Sequence, residues 1–265
     1  TETGELIDQS IIDNKLKEGK PYRAWLRSKA KYLESSLYNY AGSGIKLISS
    51  VDLNKASKYF MLYTEERQSV IKPLAIDSSE GTGSMGDDTA LAVVSSMPRQ
   101  IYDFFRQQFA QVTNPPIDSL RESAVMSLET CFGPELNIFE ETPEHANRIV
   151  TSSPVLSHKK LNTLLKSKRF KSKEFKLVFS KSEQLENALI KLGDKVKSAV
   201  KKGNILIHLI EEMPGDNMLS INALLATGYI HQQLIIEGLR TDANIIISTA
   251  SARDTHSIAC LLYTS

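Results

Sequence analysis

"NILIHLI", residues 204–210, carries apolar side chains on both of the faces that a two-residue strand period creates. A strand with one face in water alternates polar and apolar residues. One that is apolar on both sides is covered on both, the pattern of a parallel strand between two layers. The flanks agree. Upstream, "EQLENALIKLGDKVKSAVKKG" places Leu185, Leu189, Leu192 and Val196 on one helical face and stops at Gly203. "EFKLVFS" before it reads as a strand. Downstream, "SINALLATGYIHQQLIIEGLR" is a helix, "ANIIIST" a strand, and "SARDTHSIACLL" the start of a further helix. Strands and helices alternating at a spacing of about 30 residues make βαβ units and a mainly parallel sheet. The fold class expected is therefore α/β, either layered or part of a (β/α) barrel. Periodicity does not choose between these.

The first half has a different rhythm. Residues 1–28 show no strong apolar period, although Tyr22, Trp25 and Leu26 in "KPYRAWL" can dock one small face. The run to about residue 57 holds Gly42, Ser43 and Gly44 and reads as a loop-rich connector. "KASKYFMLYTEERQSVIKPLA" fits a helix ending before Pro73. After Pro98, Ile101, Phe104, Phe105, Phe109 and Val112 recur at helical spacing, and "TNPP" ends that run. Ser119 and Glu122 then form an S-x-x-E capping box for a second helix. Its expected stripe is Leu120, Ala124, Val125 and Leu128, and its stop is Gly133–Pro134.

Composition narrows the function classes. The chain of 265 residues is 41% hydrophobic and 24% charged, with net charge +1. So even a balance gives no reason to expect a nucleic-acid or acidic-membrane partner. No apolar run reaches the length of a membrane span, and no signal peptide precedes the first segment. Cys131 and Cys260 lie far apart without a CxxC, which argues against a disulfide scaffold or a metal cluster and fits a reducing, cytoplasmic setting.

Few residues suggest chemistry. "GTGSMG" (Gly81, Gly83, Gly86) matches the G-x-G-x-x-G expression, but "DSSE" precedes it where a strand is needed. It is read either as a loop binding a phosphorylated ligand, as a flexible turn before Asp87 or Asp88, or as a loop projecting Met85 into a cavity. The five histidines have no metal-ligand spacing, and His208, inside the apolar strand, is expected to be a satisfied core residue. "RDTH" can bring Arg253 and His256 to a strand end, where parallel sheets bind ligands, with an Arg–Asp pair capping the helix as the preferred reading. The basic stretch 158–176 reads as a solvated face. Glu140–Glu141 and Glu211–Glu212 are neighbours on loops with nothing to orient one against the other. On chemistry alone the chain looks like a scaffold.

Four blocks carry a resemblance: "GSMGDDTALAVVS", "RQIYDFFRQQFAQVTNPPIDSLRE", "VMSLET" and "SPVLS". From Gly83 to about Pro154 the chain closely resembles the central domain of the glutamate synthase large subunit. "EGKPYRAWL" looks like the end of the preceding glutamine amidotransferase domain, and "GLRTDANIIISTASARDTHSIACLL" like later parts of the central domain. The resemblance implies residues 1–28 as the end of the amidotransferase domain and linker, and 29–259 as a truncated central domain. The hexapeptide "CLLYTS" is also one reading frame of a common sequencing-library adapter, so residues 260–265 are expected to be non-native.

That family makes two glutamates from glutamine, 2-oxoglutarate and two electrons, passing ammonia through an internal channel to an FMN-bearing barrel. The resemblance implies an incomplete version of that barrel here, acting as inter-domain scaffold and part of the channel wall. It implies no catalytic centre and no cofactor in this chain. FMN and an iron–sulfur cluster belong to the full-length enzyme. The partners implied are the amidotransferase and FMN-barrel domains of the same chain, with an electron-donor subunit or ferredoxin; no nucleic acid and no membrane are implied. The methionine of the family's "SMG" block and the threonine of its "VTNP" block constrict the channel. Here they are Met85 and Thr113, with Asn114 beside the latter. Ser119 stands where many relatives have proline.

Overall fold

The computed structural model describes residue 4 and residues 6–33, 50–81, 83, 85–86, 89–90, 92–108, 117–118, 120–121 and 125–264. Helices α1 (Gln9–Glu18) and α2 (Tyr22–Lys29) open the chain, and Asp8 caps the first by accepting from the Ile11 amide. Tyr22 and Trp25 do meet, edge to face with centroids 5.4 Å apart. Strand β1 (Lys31–Tyr32) follows. Helix α3 (Ser50–Tyr59) takes up the end of what reads as connector.

Pro73 does not end the next helix. α4 (Thr64–Glu66) runs through a π turn, Arg67–Ile71, into α5 (Lys72–Asp77), with Pro73 in the first turn of α5. The wider turn lets the Lys72 amide bond to the Arg67 carbonyl. A π insertion of this kind absorbs the register change that a ring without an N–H imposes on a helix.

The helix expected after Pro98 is the largest correction. Only a 3-10 turn forms, Ile101–Phe104, and Phe105 is already extended at φ −104, ψ 145. Phe104 and Phe105 are exposed, while Tyr102, absent from the apolar stripe, is the buried residue of the turn. Phe109, Val112 and the "TNPP" joint lie outside the described residues, as do Ser119 and Glu122 of the capping box. Asp118 instead accepts from the amides of Leu120 and Arg121. The stripe beyond it is not buried: Leu120 is 89% exposed, and Val125 and Leu128 are exposed too. The helix does not reach Gly133, because β2 (Thr130–Phe132) precedes that glycine.

β3 (Ile149–Thr151) lies between β1, to which it is parallel, and β2, to which it is antiparallel. After α6 (His158–Leu165) comes the parallel sheet: β4 (Lys171–Lys176), β6 (Asn204–Ile210) and β8 (Asn244–Ser248), in the order β4-β6-β8. The "EFKLVFS" strand is split at Leu177, so that β5 (Val178–Ser180) pairs antiparallel with β7 (Met218–Ser220). Helices α7 (Leu185–Lys201), α8 (Ala223–Ile236) and α9 (Thr255–Thr264) complete the alternation. The architecture is α/β with an open parallel sheet, and the described strands do not close a barrel.

β6 is covered on both faces, as its composition requires. Ile207 and Leu209 pack with Val196 of α7 and Ile230 and Leu234 of α8. Leu206 and Ile246 point the other way, against Leu164, Phe170, Phe132, Ile149 and Leu33. The second face is closed by the small β1-β3-β2 sheet, which ties the irregular first half to the regular second.

Candidate functional site

Two places on the fold gather the residues of interest, and they are connected. The first is the loop around Met85. Gly86 has φ +113, and a Cβ built there would lie 2.4 Å from Arg106 Cβ and 2.9 Å from the Phe105 carbonyl oxygen. Only glycine lets the loop backbone approach so closely. The approach is locked by a hydrogen bond, since the Gln107 amide donates to the Met85 carbonyl at 2.9 Å. At the other end of the loop, a Cβ on Gly81 would lie 2.6 Å from the Ser69 carbonyl oxygen in the π turn. Ser69 is the residue four before Pro73, whose missing N–H leaves that carbonyl without its usual helical donor.

These contacts decide between readings of "GTGSMG". A phosphate cradle needs a strand before it, a helix after it and open space above the glycines. Here α5 precedes the loop, residues 92–100 form no helix, and the chain's own backbone fills the approach to Gly81 and Gly86. Among the described residues Gly81 and Gly86 leave no room for a phosphate, whereas Gly83 is exposed with nothing packed around it. Met85 itself is half-buried. Thr113 and Asn114, its expected partners, lie outside the described residues.

The second place is the carboxyl edge of the parallel sheet. Glu211, directly after β6, is a buried carboxylate that sequence reading left on a loop. It accepts from the Ala223 amide at the start of α8 (3.0 Å), from Ser251 Oγ (2.6 Å) and from Thr249 Oγ1. The signal was available: an acid immediately after a covered parallel strand stands where such sheets collect polar groups. Tyr102 is packed beside this cluster. Its hydroxyl is buried and makes no well-formed hydrogen bond among the described residues; burial pushes its pKa up to about 12, with the nearby Ser251 hydroxyl opposing the rise and the Glu211 charge adding to it.

"RDTH" does come to this edge. Asp254 caps α9 by accepting from the Ser257 amide at 2.8 Å, so the capping half of the expectation holds. Arg253 is not part of that cap. Its guanidinium forks Glu66, with Nε–Oε1 at 2.7 Å and Nη2–Oε2 at 2.8 Å, and Nη1 donates to the carbonyls of Phe60 and Ala250. His256 Nε2 donates to the Tyr102 carbonyl at 3.0 Å. Two steps back from the edge, His208 is a satisfied buried histidine, with Nε2 2.8 Å from Ser248 Oγ and Nδ1 3.3 Å from Glu174. Among the described residues no group of His, Cys, Asp and Glu is placed to hold a metal ion. A pocket of ≈ 380 Å³ lies against β8 and α9, lined by residues that include Phe132, Ile246, Ser248 and Leu261, and Met85 does not border it.

Fold and site together define an α/β domain whose strand-end polar groups are spent on holding irregular segments in place. Residues 55–264 match the family described as the glutamate synthase central domain, and the chain belongs to that family. It is 36% identical over 98% of its length to a chloroplastic ferredoxin-dependent glutamate synthase of Oryza sativa subsp. japonica, covering 16% of that protein. It is 32% identical over 98% of its length to the glutamate synthase [NADPH] large chain of Azospirillum brasilense, covering 17% of it. To the glutamate synthase [NADH] of Saccharomyces cerevisiae it is 31% identical over 99% of its length, covering 13%. The chain thus spans about a sixth of the length of the rice and bacterial relatives.

Proposed function

We propose that the chain is the inter-domain scaffold of a glutamate synthase and forms part of the wall along which ammonia passes. In that reading the full-length enzyme converts glutamine, 2-oxoglutarate and two electrons to two glutamates, in ammonia assimilation and glutamate biosynthesis. Residues 1–28 end the amidotransferase domain and 29–259 are central domain. The observation that carries the reading is the seating of the Met85 loop, with Gly81 and Gly86 packed closely on neighbouring chain and the Met85 carbonyl bonded to Gln107. A thioether on so fixed a loop is a compact apolar plug with adaptable rotamers. Thr113 and Asn114, the other channel positions the resemblance implies, follow Gln107 by a few residues in sequence.

FMN and an iron–sulfur cluster would reside in other parts of the enzyme. Two cysteines, neither in a disulfide, do not make the three-cysteine motif of the family, and Gly81 and Gly86 are backed by the chain's own atoms. The partners would be the amidotransferase and FMN-barrel domains, with an electron-donor subunit or ferredoxin. Exposed apolar side chains at Leu120, Val125, Met126 and Leu128 suit a surface that meets another domain. No helix of the described residues is long and apolar enough to cross a membrane. Two thiols outside any disulfide fit the cytoplasm or another reducing compartment.

The test is coupling in the full-length enzyme. Thr113→Trp should let glutamine hydrolysis continue while glutamate formation falls and free ammonium appears. Hydrolysis and synthesis that stay in step would remove the channel role.

A further inference from the structure

We propose that Arg253 and His256 are positioning residues for the Met85 loop, holding its two ends from the carboxyl edge of the parallel sheet. Two separate chains of contact lead from "RDTH" to that loop. The first runs through Arg253. Its fork on Glu66, 187 positions away in sequence, fixes the end of α4, where the π turn begins. The Phe60 carbonyl at the end of α3 accepts from Arg253 Nη1 and also from Gln100 Nε2, at 3.1 and 2.7 Å. The π turn then presents the Ser69 carbonyl and Val70 Cα against which Gly81, the first residue of the loop, is seated.

The second chain runs through His256, whose Nε2 donates to the Tyr102 carbonyl. Tyr102 belongs to the 3-10 turn that leads through the extended Phe105 into the irregular segment 105–108. On that segment Gly86 is seated, and its Gln107 amide binds the Met85 carbonyl. Met85 is therefore gripped on both sides by elements whose common anchor is the stretch five to eight residues after β8, running into the first turn of α9.

The chemistry of the anchor supports this use. The Arg253 side chain is largely buried, and a guanidinium is the group that holds a carboxylate in two bonds and two carbonyls besides, which an ammonium does not reproduce. Asp254 alone caps α9, so Arg253 is not spent on its own helix. The strand-end position from which parallel sheets present ligand-binding groups is used here to hold loops. The inference depends on the channel reading only for its effect on ammonia transfer. The structural link stands by itself.

Hydrogen exchange of the Gln107 amide in this chain, read by NMR against the amide of Leu209 in the central strand, tests the link. His256→Ala and, separately, Arg253→Ala should each speed Gln107 exchange about tenfold while Leu209 stays as in the wild type, the signature of local rather than global opening. Should the Arg253→Ala variant lose its fold, raising Leu209 exchange as well, Arg253→Lys decides. It keeps the charge but loses the fork, and should speed Gln107 exchange by about threefold. Gln107 exchange at the wild-type rate in a folded variant overturns the proposal. In the full-length enzyme, Arg253→Lys should also release ammonium during turnover. Faster Gln107 exchange without released ammonium would sink the channel reading and leave the positioning role standing. Ammonium released by Met85→Ala, with Gln107 exchange unmoved by Arg253→Lys, would do the reverse.

Discussion

Tyr102 shows what a single residue contributes and why periodicity missed it. Its neighbours Ile101, Phe104 and Phe105 have the helical spacing, yet the chain leaves helical geometry at Phe105 and buries the one phenol instead. An ordinary phenol ionises near 10, and this one is held up to about 12 by burial. Between those values the folded state keeps a proton that the unfolded chain gives up. Stability contributed below pH 10 is therefore lost as pH rises toward 12, by about 3 kcal/mol. Tyr102→Phe should abolish that part of the alkaline slope in denaturant titrations. At neutral pH it should be neutral or more stable by about 1 kcal/mol, since a buried hydroxyl without a well-formed hydrogen bond is removed. A loss of more than that at neutral pH would mean the hydroxyl is bonded in solution. Gly86 belongs to the same scale. Gly86→Ala must both strain a positive φ and displace Arg106, and should cost about 2–3 kcal/mol by chemical denaturation.

At the scale of elements, strong two-sided or one-sided apolar patterns were legible and weak ones were not. β6, α7, α8 and β8 stand where their patterns put them, because each buries a continuous face against a partner also present in the chain. Leu234 in α8 is fully buried in that core, and Leu234→Ala should cost about 2–5 kcal/mol, read as a drop in thermal midpoint. The pattern at Leu120, Val125 and Leu128 is as apolar but lies exposed, so a stripe that looked like core is surface within this chain. Pro73 misled for a different reason. Proline forbids an ordinary helical turn, and a π turn is a way round it that composition does not announce. The site was legible unevenly: residues such as Arg253 and His256 could be placed at a strand end, but their partners Glu66 and Tyr102 are long-range contacts that no spacing encodes.

For the whole molecule, the regular half is a parallel sheet clamped by helices, and the irregular half is held to it by the apolar packing of the β1-β3-β2 sheet and by a few polar anchors. This distribution suits a domain that lies between others and lines a passage. Purified alone, the chain should bind no flavin and form no glutamate from glutamine and 2-oxoglutarate; bound flavin in its absorbance spectrum would contradict that. The central claim, that this domain walls an ammonia path at Met85, is tested most directly by nitrogen labelling in the full-length enzyme. Glutamine labelled at its amide is turned over in excess unlabelled ammonium, and the label is read in the newly made α-amino group. Wild type should retain the label, and Met85→Ala should dilute it with bulk nitrogen. Equal retention in both would contradict the account.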